Sequence, residues 1–225
     1  MQRLNKYLAL QQGISRRAAD ELISKGRAAI NGTPAILGGQ VKDGDVVTVD
    51  GKPVDATAKM EYLILNKPVG YVCSRRAQGD SPTVYALLPK QYHHLKPTGR
   101  LDRNSSGLVL FTNDGDYAFQ MTHPQFAKVK KYNVTLGHDL EPLHQQMISD
   151  YGVTLEDGVS QLMLERRSEE NRKQWIVTMS EGRNRQIRRT FTALGYVVTK
   201  LHRTNFGPYT AEGLKPGAYT LVEKG

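Results

Sequence analysis

The stretch "GRLDRNSSGLVLFTNDGD", residues 99–116, decides how this chain is read. It sets a carboxylate, Asp102, between Arg100 and Arg103, then runs through apolar "GLVLF" to Asp114-Gly115. The segment "SGLVLFTNDGD" is strand-like, and Asp114-Gly115 reads as a hairpin turn. From spacing alone Asp102 has two readings: a turn-forming aspartate, common in loops, or a single carboxylate acting alone. Other chemistries fit poorly. "DRNSSG" matches the start of a calcium loop, but Asn113 stands where the last ligand must be Glu, and the flanks read as strand. A glycosidase needs a second carboxylate across the bond. Asn104-Ser105-Ser106 is a glycosylation sequon, which matters only in a secreted chain.

The surrounding chain narrows the choice. Its 225 residues suffice for one sizeable domain and a small one. Apolar residues make up 39% and charged ones 24%, a globular balance. The formal net charge of +9 favours nucleic acid or another polyanion as partner. A lone cysteine, Cys73, rules out an internal disulfide framework and fits a reducing compartment. No motif sets a His beside that thiol, so it reads as structural. "MQRLNKYLALQQG" is too polar for a signal peptide, and no apolar run approaches the ~18 residues of a membrane span. A cytoplasmic protein with no membrane partner is expected. The six His show no metal-ligand spacing, and no Gly-rich lysine loop for nucleotide phosphates occurs. Neither a metal nor a cofactor is therefore expected.

Two domains are expected, 1–58 and 59–225, with "VDATAK" (54–59) as a linker. In the first, Leu4, Tyr7 and Leu8 share a helical face that ends at Gly13. Ser15 caps a second helix that buries Leu22 and Ile23 and stops at Gly26. "RAAINGTPA" and "VVTVDGKPV" follow as short strands turning at Asn31-Gly32 and Asp50-Gly51. From Glu61 on, "EYLILNKPVGYVCS", "SGLVLFTNDGD", "KKYNVTLG", "QLMLERR" and "RKQWIVTMSEG" read as strands, and "NRQIRRTFTALG" as a capped helix. Ile187, Phe191 and Leu194 form its core stripe, and Arg185, Arg188 and Arg189 another face. Strands and helices do not alternate strictly, so the class is α+β with a mixed sheet.

The order helix, helix, strand pair in residues 2–50 resembles the RNA-binding domain first seen in ribosomal protein S-four. That resemblance implies structured-RNA binding, with Arg3, Lys6, Ser15, Arg16 and Arg17 at matching positions. Four further motifs, in order, resemble the pseudouridine synthases of the RsuA/RluB branch, which modifies ribosomal RNA. They are "LNKPVGYVCS" (65–74), the opening stretch, "KKYNVTL" (130–136) and "EGRNRQIRRTFTALGYVVTKLHRTNFG" (181–207). The family's catalytic domain has a central, mainly antiparallel mixed sheet. Its reaction detaches uracil from its sugar, turns it and rejoins it through carbon 5, using one aspartate on a flipped-out base. The resemblance implies Asp102 as that aspartate, Tyr132 as the ring stacking on the base and Arg188 as the arginine paired with Asp102. It further implies Leu201 lining the uracil pocket and Lys67 with Pro68 shaping the loop beside it. Arg183, Arg185 and Arg189 become phosphate contacts, and Arg100 and Arg103 steer phosphates or fill the space the flipped base leaves. Departures are small: Ser105 stands where Thr is usual, and Thr190 and Thr192 replace bulkier or acidic residues. The expected partner is ribosomal RNA or a subunit precursor, 23S ahead of 16S, met by a monomer without a cofactor. A non-catalytic RNA-binding assembly factor and a transfer-RNA enzyme are the competing readings.

Overall fold

The computed structural model describes residues 1–225 and separates into two units, Met1–Glu61 and Tyr62–Gly225. In the first, helices Leu4–Gln11 and Arg16–Ser24 pack through Leu4, Tyr7, Leu8, Ala19 and Ile23. Ser15 Oγ accepts from Ala18 N at 3.0 Å, satisfying one of the free amides at the second helix's start. Leu22 is only partly buried beside that cluster. A four-stranded antiparallel sheet follows, its hairpins closed by Asn31-Gly32 and Asp50-Gly51, all four residues at positive φ. That backbone matches the twist of the flanking strands. The 54–59 segment, expected as a linker, is held by this unit. Val54 N donates to Val47 O at 2.9 Å, and Ala58 N to the Gln11 side chain at 2.9 Å.

The second unit is built on a nine-stranded sheet. Its main path runs Met163–Arg166, Gln174–Met179, Lys130–Leu136, Val198–Phe206, Ser106–Thr112, Tyr62–Lys67 and Tyr219–Val222. All pairings are antiparallel except one, His202 and Arg203 alongside Ser106 and Gly107. The class is thus α+β with a mixed, mainly antiparallel sheet. The apolar runs "YLIL" and "GLVLF" are continuous because their strands are covered on both faces. Leu63, Leu65, Val109 and Phe111 face one core cluster; Tyr62, Ile64, Leu108 and Leu110 face the other. Gly107 is fixed by the parallel pairing: it sits at φ +110°, where a Cβ would lie 2.2 Å from Arg203 O.

Two local expectations are corrected. Asp114-Gly115 is not a hairpin. Asp114 caps helix Gly115–Thr122, accepting from Asp116 N at 3.1 Å and Tyr117 N at 3.0 Å. Helix Gln186–Ala193 has no side-chain cap. Its first flanking residue, Arg185, stands in the left-handed region at φ +48°. Of its expected core stripe, Ile187 and Phe191 are buried and Leu194 partly so. No helix is long and apolar enough to cross a membrane.

Candidate active site

Asp102 stands on the loop between the Lys96–Thr98 and Ser106–Thr112 strands, and five groups fix that loop. Ser105 N donates to Asp102 O at 3.1 Å, closing a tight turn. Gly70 N donates to Arg103 O at 2.8 Å. Leu101 N donates to Cys73 Sγ at 3.5 Å. Arg188 donates to Asn104 O at 2.9 Å and Ser105 Oγ at 3.3 Å. Arg203, almost wholly buried, donates to Gly99 O and, at 2.8 Å, to Leu108 O. Gly99 itself is at φ +66°, with the Phe206 ring 2.5 Å from where a Cβ would be, so a larger residue cannot turn the chain there. The result is a half-exposed carboxylate on a rigid loop.

The loop forms one side of a cleft of about 770 Å³. Tyr132, Leu201, Ile187 and Met179 supply apolar walls, and Arg100, Arg103 and Arg185 cationic ones. Two paired strands supply the walls, the first alternating and the second bulged against it. Lys130, Tyr132, Val134 and Leu136 point inward from one strand, and Val198, Leu201, Arg203 and Phe206 are buried along its neighbour. Lys130 also reaches the cleft; its ammonium donates to the carbonyls of Lys128, Ser180 and Glu181, and burial lowers its pKa. The sequence reading missed Lys130, Arg203 and Cys73 as parts of the site. A signal was available for Lys130, a cation at an inward position of an alternating strand, but not for Arg203, because the buried positions of Val198–Phe206 do not alternate.

The arginines are arranged differently from the resemblance. The guanidinium within ion-pair distance of Asp102 belongs to Arg185, at 3.7 Å, and not to Arg188. Arg188 is half-buried and donates instead to Val198 O and to the loop atoms just past Asp102. Spacing could not separate the two: residues three apart read as one side of a helix, but Arg185 flanks the helix in the left-handed region. Arg183 and Arg189, expected to meet phosphates, both engage Asp157 on the hairpin of Val153–Leu155 and Gly158–Ser160. Arg183 lies 2.9 Å from that carboxylate and also donates to the carbonyls of Asp157, Gly158 and Val159. Arg189 lies 2.7 Å from it, and this bond first of all holds the Asp157 carboxyl below its usual range. Lys67 is fully buried and does not line the cleft. Its Nζ donates to Pro68 O and Tyr71 O, both at 2.9 Å, and burial pushes its pKa down to about 8. No group of three or more His, Cys, Asp or Glu is placed to hold a metal.

Residues 61–193, which carry Lys67, Asp102, Tyr132 and Arg188, match the family described as RNA pseudouridylate synthase. The chain belongs to that family. The RNA pseudouridylate synthase region is preceded by an S4 domain at residues 2–47. A ribosomal large subunit pseudouridine synthase B of Pseudomonas aeruginosa is 35% identical, across 99% of this chain and 60% of its own length. A ribosomal small subunit pseudouridine synthase A of Yersinia pestis is 36% identical, across 96% of this chain and 93% of its own length. This member of the synthase family thus spans three fifths of the first relative and nearly all of the second. A crystal structure of a pseudouridylate synthase superposes with a TM-score of 0.68 at 30% identity, covering 99% of this chain and 96% of that one. In the S4 domain, Arg16, Arg17 and Ser15 are exposed, the Ser15 hydroxyl being engaged as a helix cap. Arg3 is exposed, with one Nη on Gly38 O at 2.7 Å, and Lys6 is partly buried.

Proposed function

We propose that this chain is a pseudouridine synthase that isomerises a uridine of ribosomal RNA, with Asp102 as the catalytic residue. The reading is carried by one observation: a single carboxylate on a loop pinned by Arg188, Arg203 and Cys73, facing a cleft with aromatic and apolar walls. A flipped uracil needs such walls, because leaving its stack costs a few kcal/mol that contacts must offset. Tyr132 stacks on the base, worth roughly 1–3 kcal/mol, and Leu201 packs against it.

The chemistry asks little more of the protein. The bond between the sugar and N1 breaks, carbon 5 takes that place, the proton on carbon 5 leaves and N1 gains one. Nothing is oxidised, and no group passes to water. Asp102 acts as nucleophile or base and is regenerated. Arg185 holds its charge, and Arg188 positions the loop through Asn104 and Ser105. Arg100 and Arg103 meet phosphates on either side of the flipped nucleotide. Arg3, Lys6, Arg16 and Arg17 of the S4 domain grip the RNA elsewhere, through contacts that position but do not specify. The proposed enzyme works as a monomer in the cytoplasm.

The test is tritium release from RNA labelled at carbon 5 of uridine, wild type against Asp102→Asn. Both 23S and 16S RNA are offered, because relatives named for the large and small subunits match at 35% and 36% identity. Release by wild type alone, with RNA affinity of the variant within a few fold, is the expected result. Binding without release from either RNA points to an assembly factor, and release from transfer RNA only moves the substrate.

A further inference from the structure

Five phenylalanines serve this chain, and they divide sharply. Phe111, Phe191 and Phe206 are fully buried, whereas Phe119 is 50% exposed and Phe126 39%. The two exposed rings are in contact. Their centroids lie 5.8 Å apart at 84°, and His123 completes the group, 4.6 Å from Phe119 and 6.4 Å from Phe126. Helix Gly115–Thr122 presents Phe119 on the side opposite its buried anchors, Tyr117 and Met121. The turn Pro124–Phe126 then folds Phe126 back beside it. That turn ends at Ala127, a non-glycine residue at φ +44°, a conformation that L residues adopt at a cost. The backbone is thus strained where it sets an apolar ring in water.

The position of the group says what covers it. Phe119 lines the same cleft as Asp102, together with the exposed Arg100. The whole chain carries a net charge of +9. Exposed aromatic rings beside cations at the edge of such a cleft suit a nucleobase, whose face stacks while its phosphate meets the cation. We propose that Phe119, His123 and Phe126 form a stacking platform for an unpaired RNA base adjoining the nucleotide that enters the cleft. This rests on the reading of the cleft as a uridine site. When the uridine leaves the helix, its neighbour loses a stacking partner, and the platform supplies another.

Phe119→Trp makes the platform visible, since Trp175 is the chain's sole tryptophan and is fully buried. Adding 23S or 16S ribosomal RNA should quench the new indole's emission. Phe119→Ala/Phe126→Ala should bind that RNA about ten-fold more weakly, and Phe119→Tyr within about two-fold of wild type. An unmoved emission with affinity of the double alanine variant within two-fold overturns the platform, and leaves the synthase reading intact if wild type still releases tritium. Quenching and weakened binding without any tritium release leave the platform standing and overturn the synthase reading instead. Should the double variant fail to fold, the emission change alone decides.

Discussion

Arg185 shows what a single residue contributes to this site and what it costs. It stands at φ +48° and puts its guanidinium 3.7 Å from Asp102. A non-glycine residue held there is strained by about 1–2 kcal/mol. Arg185→Ala and Arg185→Gly should therefore lower tritium release equally, by about ten-fold or more for a lost charge contact. Their melting temperatures should differ, glycine being the more stable by about 1 kcal/mol. Equal melting temperatures would show that the turn is not strained. Lys67 gives a pH dependence. Burial lowers its pKa from 10.5 to about 8, so between those values the unfolded chain holds a proton that the fold has shed. Stability then rises with pH through that window, and below about pH 8 the contribution is flat. Thermal melts of wild type and Lys67→Met should diverge in favour of wild type between pH 8 and 10.5. At this scale the motifs of the resemblance point to Asp102, Tyr132 and Leu201, and the structure sets all three around one cleft. The sequence could not show which arginine meets Asp102, because motif order fixes position and not side-chain reach.

At the scale of elements, the hairpin of Val153–Leu155 and Gly158–Ser160 braces the turn that carries Arg185. Its tip carboxylate, Asp157, binds Arg183 on one side of Arg185 and Arg189 on the other. Each pair is partly exposed and contributes little to stability. Their joint effect on geometry is the larger one. Asp157→Ala should lower turnover about ten-fold through misplacement of Arg185, while the melting temperature falls by only a few degrees. Unchanged turnover would show the turn to be held without the hairpin. This brace was not legible: Asp157 lies far from the 181–207 motif in sequence, and only the folded hairpin brings it there. Asp114-Gly115 was misread for a different reason. Asp-Gly serves a hairpin and a helix cap alike, and the deciding signal is the pair Tyr117 and Met121, buried four residues apart on one helical side.

Across the whole molecule, two units and an α+β plan could be read from the chain because local patterns carry them. Helix faces, hairpin turns and doubly covered strands each leave a period in the sequence. The one parallel pairing of the large sheet, Ser106 and Gly107 beside His202 and Arg203, leaves none. It joins segments nearly a hundred positions apart, and through Arg203 it also anchors the carbonyl of Gly99, at the base of the Asp102 loop. Contacts of such separation form slowly, since the intervening chain must first be closed into a loop. The carboxylate loop is thus a late product of folding. While residues beyond 198 are still being synthesised, the amino-terminal unit, closed within its own 61 residues, can already be in place. In pulse-labelled refolding the amides of 99–105 should gain protection after those of Leu4–Gln11 and Arg16–Ser24. The chain would then pass through a stage at which it holds RNA and cannot yet act on it.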